Sequence, residues 1–148
     1  MFPTIRCFSI GFLLIAVCLS GCDQLIMKQD QVTVNIMVAV NIQFLDAEQH
    51  PVQKNTDGMT VTIFITRNNK DQLVFERIMQ NELCQATGDF TLTPGQSIEC
   101  TAHLKDENHL YNQIFPGSAE LTWETVNSTT NYGGVYNWYP KITILLQE

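Results

Sequence analysis

Five cysteines and three histidines are the side chains in this 148-residue sequence most able to do covalent or metal chemistry. A thiolate is a nucleophile and a soft metal ligand, two thiols oxidise to a disulfide, and an imidazole serves as general base or ligand. Their spacing narrows that choice. Cys7, Cys18 and Cys22 lie within or just after an apolar amino-terminal stretch, while Cys84 and Cys100 stand apart in the body of the chain. His50 falls in a turn-forming stretch, His103 on the polar side of an alternating segment and His109 in a loop, with no metal-ligand or triad spacing among them. Asp106 and Glu107 are adjacent, and adjacent side chains on extended backbone diverge, so they do not form a paired-carboxylate site. Gly133-Gly134 lacks the following Lys and the strand-to-helix context of a phosphate loop. Asn127-Ser128-Thr129 has the form of a glycosylation sequon but reads as a turn. The expectation is a protein that is not an enzyme, with no metal and no cofactor of its own.

The amino-terminal cysteines must be placed by the element that carries them. Arg6 and the free amino group make a short positive region, and Cys7 to Leu19 is almost wholly apolar, broken only by Ser9 and Gly11. A membrane-spanning helix needs about 20 apolar residues, so this run reads as a secretory leader. It ends in Leu19-Ser20-Gly21-Cys22, which resembles the lipobox of bacterial lipoproteins. The resemblance implies that diacylglycerol is attached to the Cys22 sulfur, that residues 1–21 are cleaved as a signal peptide, and that the new amino group is acylated in many bacteria. More than one acyl chain, at about 0.8 kcal/mol per buried CH₂, holds a protein stably on a membrane it does not span. The alternatives are an uncleaved anchor or an ordinary signal peptide. Asp23 resembles the residue that keeps enteric-type lipoproteins in the inner membrane; the alternative is a plain polar linker residue and an outer-membrane location on the periplasmic face.

The mature chain has 148 − 21 = 127 residues, enough for one domain. Arg6 leaves with the leader, so 7 Lys+Arg face 15 Asp+Glu and the net charge is −8. That balance argues against nucleic acid and anionic headgroups as partners, because both require clustered Lys and Arg. With Cys22 lipidated, only Cys84 and Cys100 remain. In an oxidising periplasm they are expected to pair, closing a loop of 100 − 84 = 16 residues worth about 3 kcal/mol. The alternative is two buried free thiols. Residues 22–31 form the lipidated terminus and a tether, whose last eight residues reach roughly 25 Å when extended.

From residue 32 to 148 the dominant period is two. Val32, Val34, Ile36, Val38, Val40, Ile42 and Phe44 alternate with more polar residues in a pattern so long that a bend or change of sheet midway is expected. Asp46 to Pro51 is turn material; Met59, Val61, Ile63 and Ile65 make a second strand, and Arg67 to Asp71 a hairpin loop. Residues 73–83 fit either a strand or a helix capped by Asp71, and the β-rich context favours the strand. Phe90 to Pro94, Ile98 to Leu104, Ala119 to Trp123 and Ile142 to Leu146 supply further strands, with a Ser/Thr/Asn/Gly loop at residues 127–134. About seven strands predict an all-β fold: a single antiparallel β-sandwich, immunoglobulin-like or transthyretin-like.

Tyr132, Tyr136, Trp138 and Tyr139 crowd around Gly133-Gly134 as a candidate partner surface, since exposed Tyr and Trp supply interface hot spots. The alternative is that two of them pack into the end of the sandwich and the others shield an edge. The order Met59-Thr-Val-Thr-Ile-Phe-Ile65, the apolar segment through Phe75 and Leu83, Phe90-Thr-Leu-Thr-Pro94-Gly95, the strand with Trp123 and the Ile-rich terminal strand is similar to the small lipoproteins of type VI secretion systems. That resemblance covers about half the mature chain. It implies a disulfide-optional β-sandwich that docks a large inner-membrane secretion subunit through its loops. Those lipoproteins usually sit in the outer membrane, against the reading of Asp23. Two functions follow as expectations. The first is a non-enzymatic binding or scaffold module in a cell-envelope assembly, held to the membrane by its lipid and facing an envelope protein partner. The second is a lipid-anchored periplasmic inhibitor or immunity-type protein.

Overall fold

The computed structural model describes residues 31–106, 110–129 and 134–147; Cys22, Asp23, Glu107, His109, Tyr132 and Gly133 lie outside them. The chain folds as an all-β sandwich of two packed sheets. Its spine is β1 (Val32–Leu45), whose seven alternate apolar residues from Val32 to Phe44 are all buried. Of the bend or change of sheet expected midway, the change does not occur: β1 keeps to one sheet and changes partners instead. On one side it pairs antiparallel with β5 (Cys84–Leu92) along Val32–Val40, then with the short β2 (Pro51–Val52). On the other side, β9 (Val135–Trp138) pairs parallel with Thr33–Ile36 and β10 (Lys141–Gln147) parallel with Ala39–Leu45. The sheet is therefore mixed, where a purely antiparallel one was expected.

The register explains the break between β9 and β10. Val135 pairs with Thr33 and Lys141 with Ala39, and 135 − 33 = 141 − 39 = 102, so both strands run in one unslipped line. Pro140 interrupts that line because it has no N–H to give the ladder. Its carbonyl still accepts a 3.0 Å hydrogen bond from the Ala39 amide. Outside β10 lies β7 (Asn112–Phe115), completing the sheet.

The second sheet has the order β4 (Asp71–Ile78), β3 (Thr60–Arg67), β6 (Ser97–Leu104), β8 (Gly117–Thr122), all antiparallel. β4 pairs with β3 along its whole length, which settles residues 71–78 as strand. Met79 follows and is fully buried. Val61, Ile63 and Ile65 from β3 and Ile98, Cys100 and Ala102 from β6 meet the inward side chains of β1 and β10 in one core.

Arginines tie the sheets together along one side. Arg67 Nη1 donates to the Thr91 carbonyl at 2.9 Å, and Arg77 Nε donates to the Gln85 carbonyl at 3.1 Å. Both acceptors lie on β5, so its outer edge is capped. Arg67 also pairs with Asp71.

Trp123 was expected in a strand and residues 127–134 in a loop, but Trp123–Thr129 form a helix, α1. Thr122 supplies the start: its Oγ1 accepts from the Thr125 amide at 3.4 Å, three residues on, and Glu124 sits in the positive first turn. Trp123 and Val126 are buried beneath it. The two-residue period of 119–123 thus ends one residue early, because the hydroxyl offers the next backbone amides a helical cap.

Candidate functional site

After residue 30, two stretches of the chain are long and free of charge: Gln31–Leu45 and Thr125–Pro140. The fold lays part of the second against the first. β9 runs beside the first half of β1, and their outward side chains form a strip without a charged group, Thr33, Asn35 and Met37 on β1 and Val135, Asn137 and Tyr139 along the line of β9, bordered by Asp89 on β5 and by the exposed Lys141 beside Ala39. Residues 32–148 carry 6 Lys+Arg against 13 Asp+Glu, a net charge of −7, and on such a domain the strip is a local exception.

Register fixes how the face is arranged. Across β5, β1 and β9, Asp89, Asn35 and Asn137 stand in one row. The next row holds Thr87, Met37 and, at the same offset of 102, Tyr139. Asn35 Nδ2 donates to Asn137 Oδ1 at 3.2 Å, holding the two amides to each other. Met37, Val135 and Tyr139 are 41%, 56% and 63% exposed. Between the rows is a shallow cleft of about 400 Å³, lined by Asn35, Met37, Thr87, Asp89, Asn137 and Tyr139. Further along β1, beyond the exposed Lys141 beside Ala39, Thr143 Oγ1 donates to Asn41 Oδ1 at 2.8 Å.

The aromatic group expected at the surface divides. Tyr136 and Trp138 point inward and pack half-buried against the core, whereas Tyr139 points out into the cleft. Tyr132 lies outside the described residues. Asn35, Met37, Thr87, Asp89 and Asn137 were not singled out from the sequence. The signal that finds them is the pair of uncharged alternating runs, read together rather than separately.

The cysteines contradict the expected bridge. Cys84 and Cys100 are both free and both buried. Cys84 faces Val40 in the first sheet, and Cys100 sits between Ile65 and Ala119 in the second, so each fills a core position as a small apolar side chain. Burial pushes both thiols up, Cys100 to about 12 with a further contribution from Glu99, while nearby Arg77 partly offsets the rise at Cys84. Neither is an activated nucleophile.

His50 lies exposed, with its amide donating to Asp46 Oδ1 at 2.7 Å, and His103 packs edge-on against Phe64 at 5.8 Å. A larger cleft of about 760 Å³ lies at one end of the second sheet, lined in part by Glu76, Arg77, Lys105 and Asp106. Its charged groups are engaged with one another and with backbone: Lys105 Nζ donates to Glu76 at 2.9 Å, and Asp106 accepts from the Tyr111 amide at 3.2 Å. Among the described residues no three His, Cys, Asp or Glu side chains cluster to hold a metal ion. No helix of the described residues is long and apolar enough to cross a membrane.

Compared with known protein families, characterised proteins and solved structures, the chain shows no match.

Proposed function

We propose that the protein is a lipid-anchored, non-enzymatic binding module of a bacterial cell envelope. In this reading Cys22 carries the lipid, Asp23 keeps the protein at the inner membrane, and the sandwich presents the β1–β9 face to an envelope component. The observation that carries the reading is the uncharged face itself. Exposed apolar side chains beside amides bonded to each other, with no charged side chain among them, have the composition of a recognition surface rather than of a solvated one. Its position supports the same reading. Asn35 is three residues into β1, roughly 10 Å from the point where the tether enters the domain, so the face lies within tens of Å of the bilayer. Contacts there carry little charge, so binding resists salt.

Labelling of the full chain with radioactive palmitate in an enteric bacterium tests the anchor, and mild cross-linking in the same cells tests the face. The wild type takes up label and Cys22→Ser does not; Met37→Glu loses the wild-type adducts while keeping the wild-type melting temperature. An unlabelled wild type removes the anchor from the account. Adducts unchanged in Met37→Glu remove the face.

A further inference from the structure

We propose that the cleft between β5, β1 and β9 binds a neutral saccharide. This rests on the reading of the β1–β9 face as a binding surface and names the class of its ligand.

The polar groups of the cleft are uncommitted. The single bond between Asn35 Nδ2 and Asn137 Oδ1 leaves Asn35 Oδ1 as an acceptor and Asn137 Nδ2 with two donors. Among the described residues, no hydrogen bond engages the Thr87 hydroxyl, the Asp89 carboxylate or the Tyr139 hydroxyl. Donors and acceptors therefore alternate within two adjacent rows of one sheet face. A sugar ring needs that mixture, because each of its hydroxyls both donates and accepts. A planar amide or carboxylate can engage two neighbouring hydroxyls at once, as a bidentate pair.

The apolar part of the cleft matches the remainder of such a ligand. Tyr139, 63% exposed, stands beside Met37, 41% exposed, so an exposed aromatic ring and a thioether lie next to the polar row. A pyranose with equatorial substituents is amphipathic in the same sense: its C–H faces are apolar and its rim is polar. Its flat face stacks on an exposed aromatic ring while its rim meets Asn35, Asn137, Thr87 and Asp89. A volume of about 400 Å³ lies near the lower end of the roughly 300–1,000 Å³ typical of small-ligand sites.

Charge removes the competing classes. No Lys, Arg or His lines the cleft. Asp89 contributes negative charge, and the domain carries −7, so phosphates, nucleotides and uronic acids are repelled. The polar row would lose its hydrogen bonds under an acyl chain, which disfavours a lipid tail.

The test titrates the full lipidated chain in detergent micelles with a β-1,4-linked hexamer of N-acetylglucosamine, and with an oligogalacturonate as the anionic counterpart, by calorimetry. The hexamer binds saturably and with the same affinity at low and high salt; the oligogalacturonate binds at least ten-fold more weakly. Tyr139→Ala and Asp89→Ala each weaken the hexamer at least ten-fold at unchanged melting temperature, Tyr139→Phe restores most of the affinity by keeping the ring, and Val74→Ala on the opposite sheet changes nothing. No saturable binding at millimolar hexamer, or equal affinity in Tyr139→Ala, overturns the proposal. If the hexamer fails but Met37→Glu still abolishes the cellular adducts, the face has a protein ligand and only the saccharide is wrong; if those adducts also persist, the face reading falls with it.

Discussion

Adjacent aromatic residues on one strand do different work here, and the alternation of β structure is the cause. Trp138 turns inward against the core and Tyr139 outward into the cleft. Trp138→Ala should therefore cost about 2–3 kcal/mol, below the range for a fully buried tryptophan, whereas Tyr139→Ala should leave stability within about 0.5 kcal/mol. Thermal unfolding of the two variants checks the difference; equal losses would mean that the inward–outward assignment is wrong. The buried thiols carry a second prediction. Mass spectrometry of the oxidised and reduced protein should show no change of mass at Cys84 and Cys100. Cys100 has a folded-state pKa near 12 against 9.0 for a free thiol. The unfolded chain therefore loses this proton first, so stability is full below about pH 9 and falls as pH rises toward 12. Cys100→Ala should flatten part of that alkaline decline in denaturant titrations, and a decline of unchanged steepness would contradict the burial argument.

At the scale of elements, the strongest periodic runs were legible from the sequence and the interrupted ones were not. β1 announces itself by seven inward apolar residues, and β3 and β6 by their own alternation. Sequence could not show that β1 stays in one sheet, because that depends on distant strands dividing its two edges between them. β9 was hidden by its shortness and by Pro140, whose missing amide reads locally as a strand breaker although the register passes through it unchanged. α1 was hidden because Thr122 ends one alternating pattern and caps the next element at once. The crossing of the two sheets at β8 gives the sharpest structural test. A Cβ on Gly117 would lie 2.0 Å from Ile142 Cγ2 and 2.8 Å from the Thr143 carbonyl oxygen. One of these neighbours is backbone and cannot rotate away. Gly117→Ala should lower stability by about 3 kcal/mol, the upper part of the range for overpacking. A variant as stable as the wild type would show that β8 and β10 do not approach so closely.

On the scale of the whole molecule, charge separates the surfaces. The acidic total was readable from composition, but the uncharged strip was not, since its residues come from segments about a hundred positions apart. Asn35 and Asn137 become neighbours only through parallel pairing of β9 with β1. The aromatic cluster mixed core with surface, Tyr136 and Trp138 packing inward and Tyr139 facing outward. The central claim is that this face, on a lipid-held domain near the bilayer, is where the protein meets its envelope component. The direct measurement is photocross-linking in living cells from a single light-activated residue placed at position 37, 139 or 74 of the full lipidated chain. Positions 37 and 139 should yield the same envelope adduct and position 74, on the outer side of the second sheet, none. An adduct from position 74 alone, or none from 37 and 139, would contradict the account.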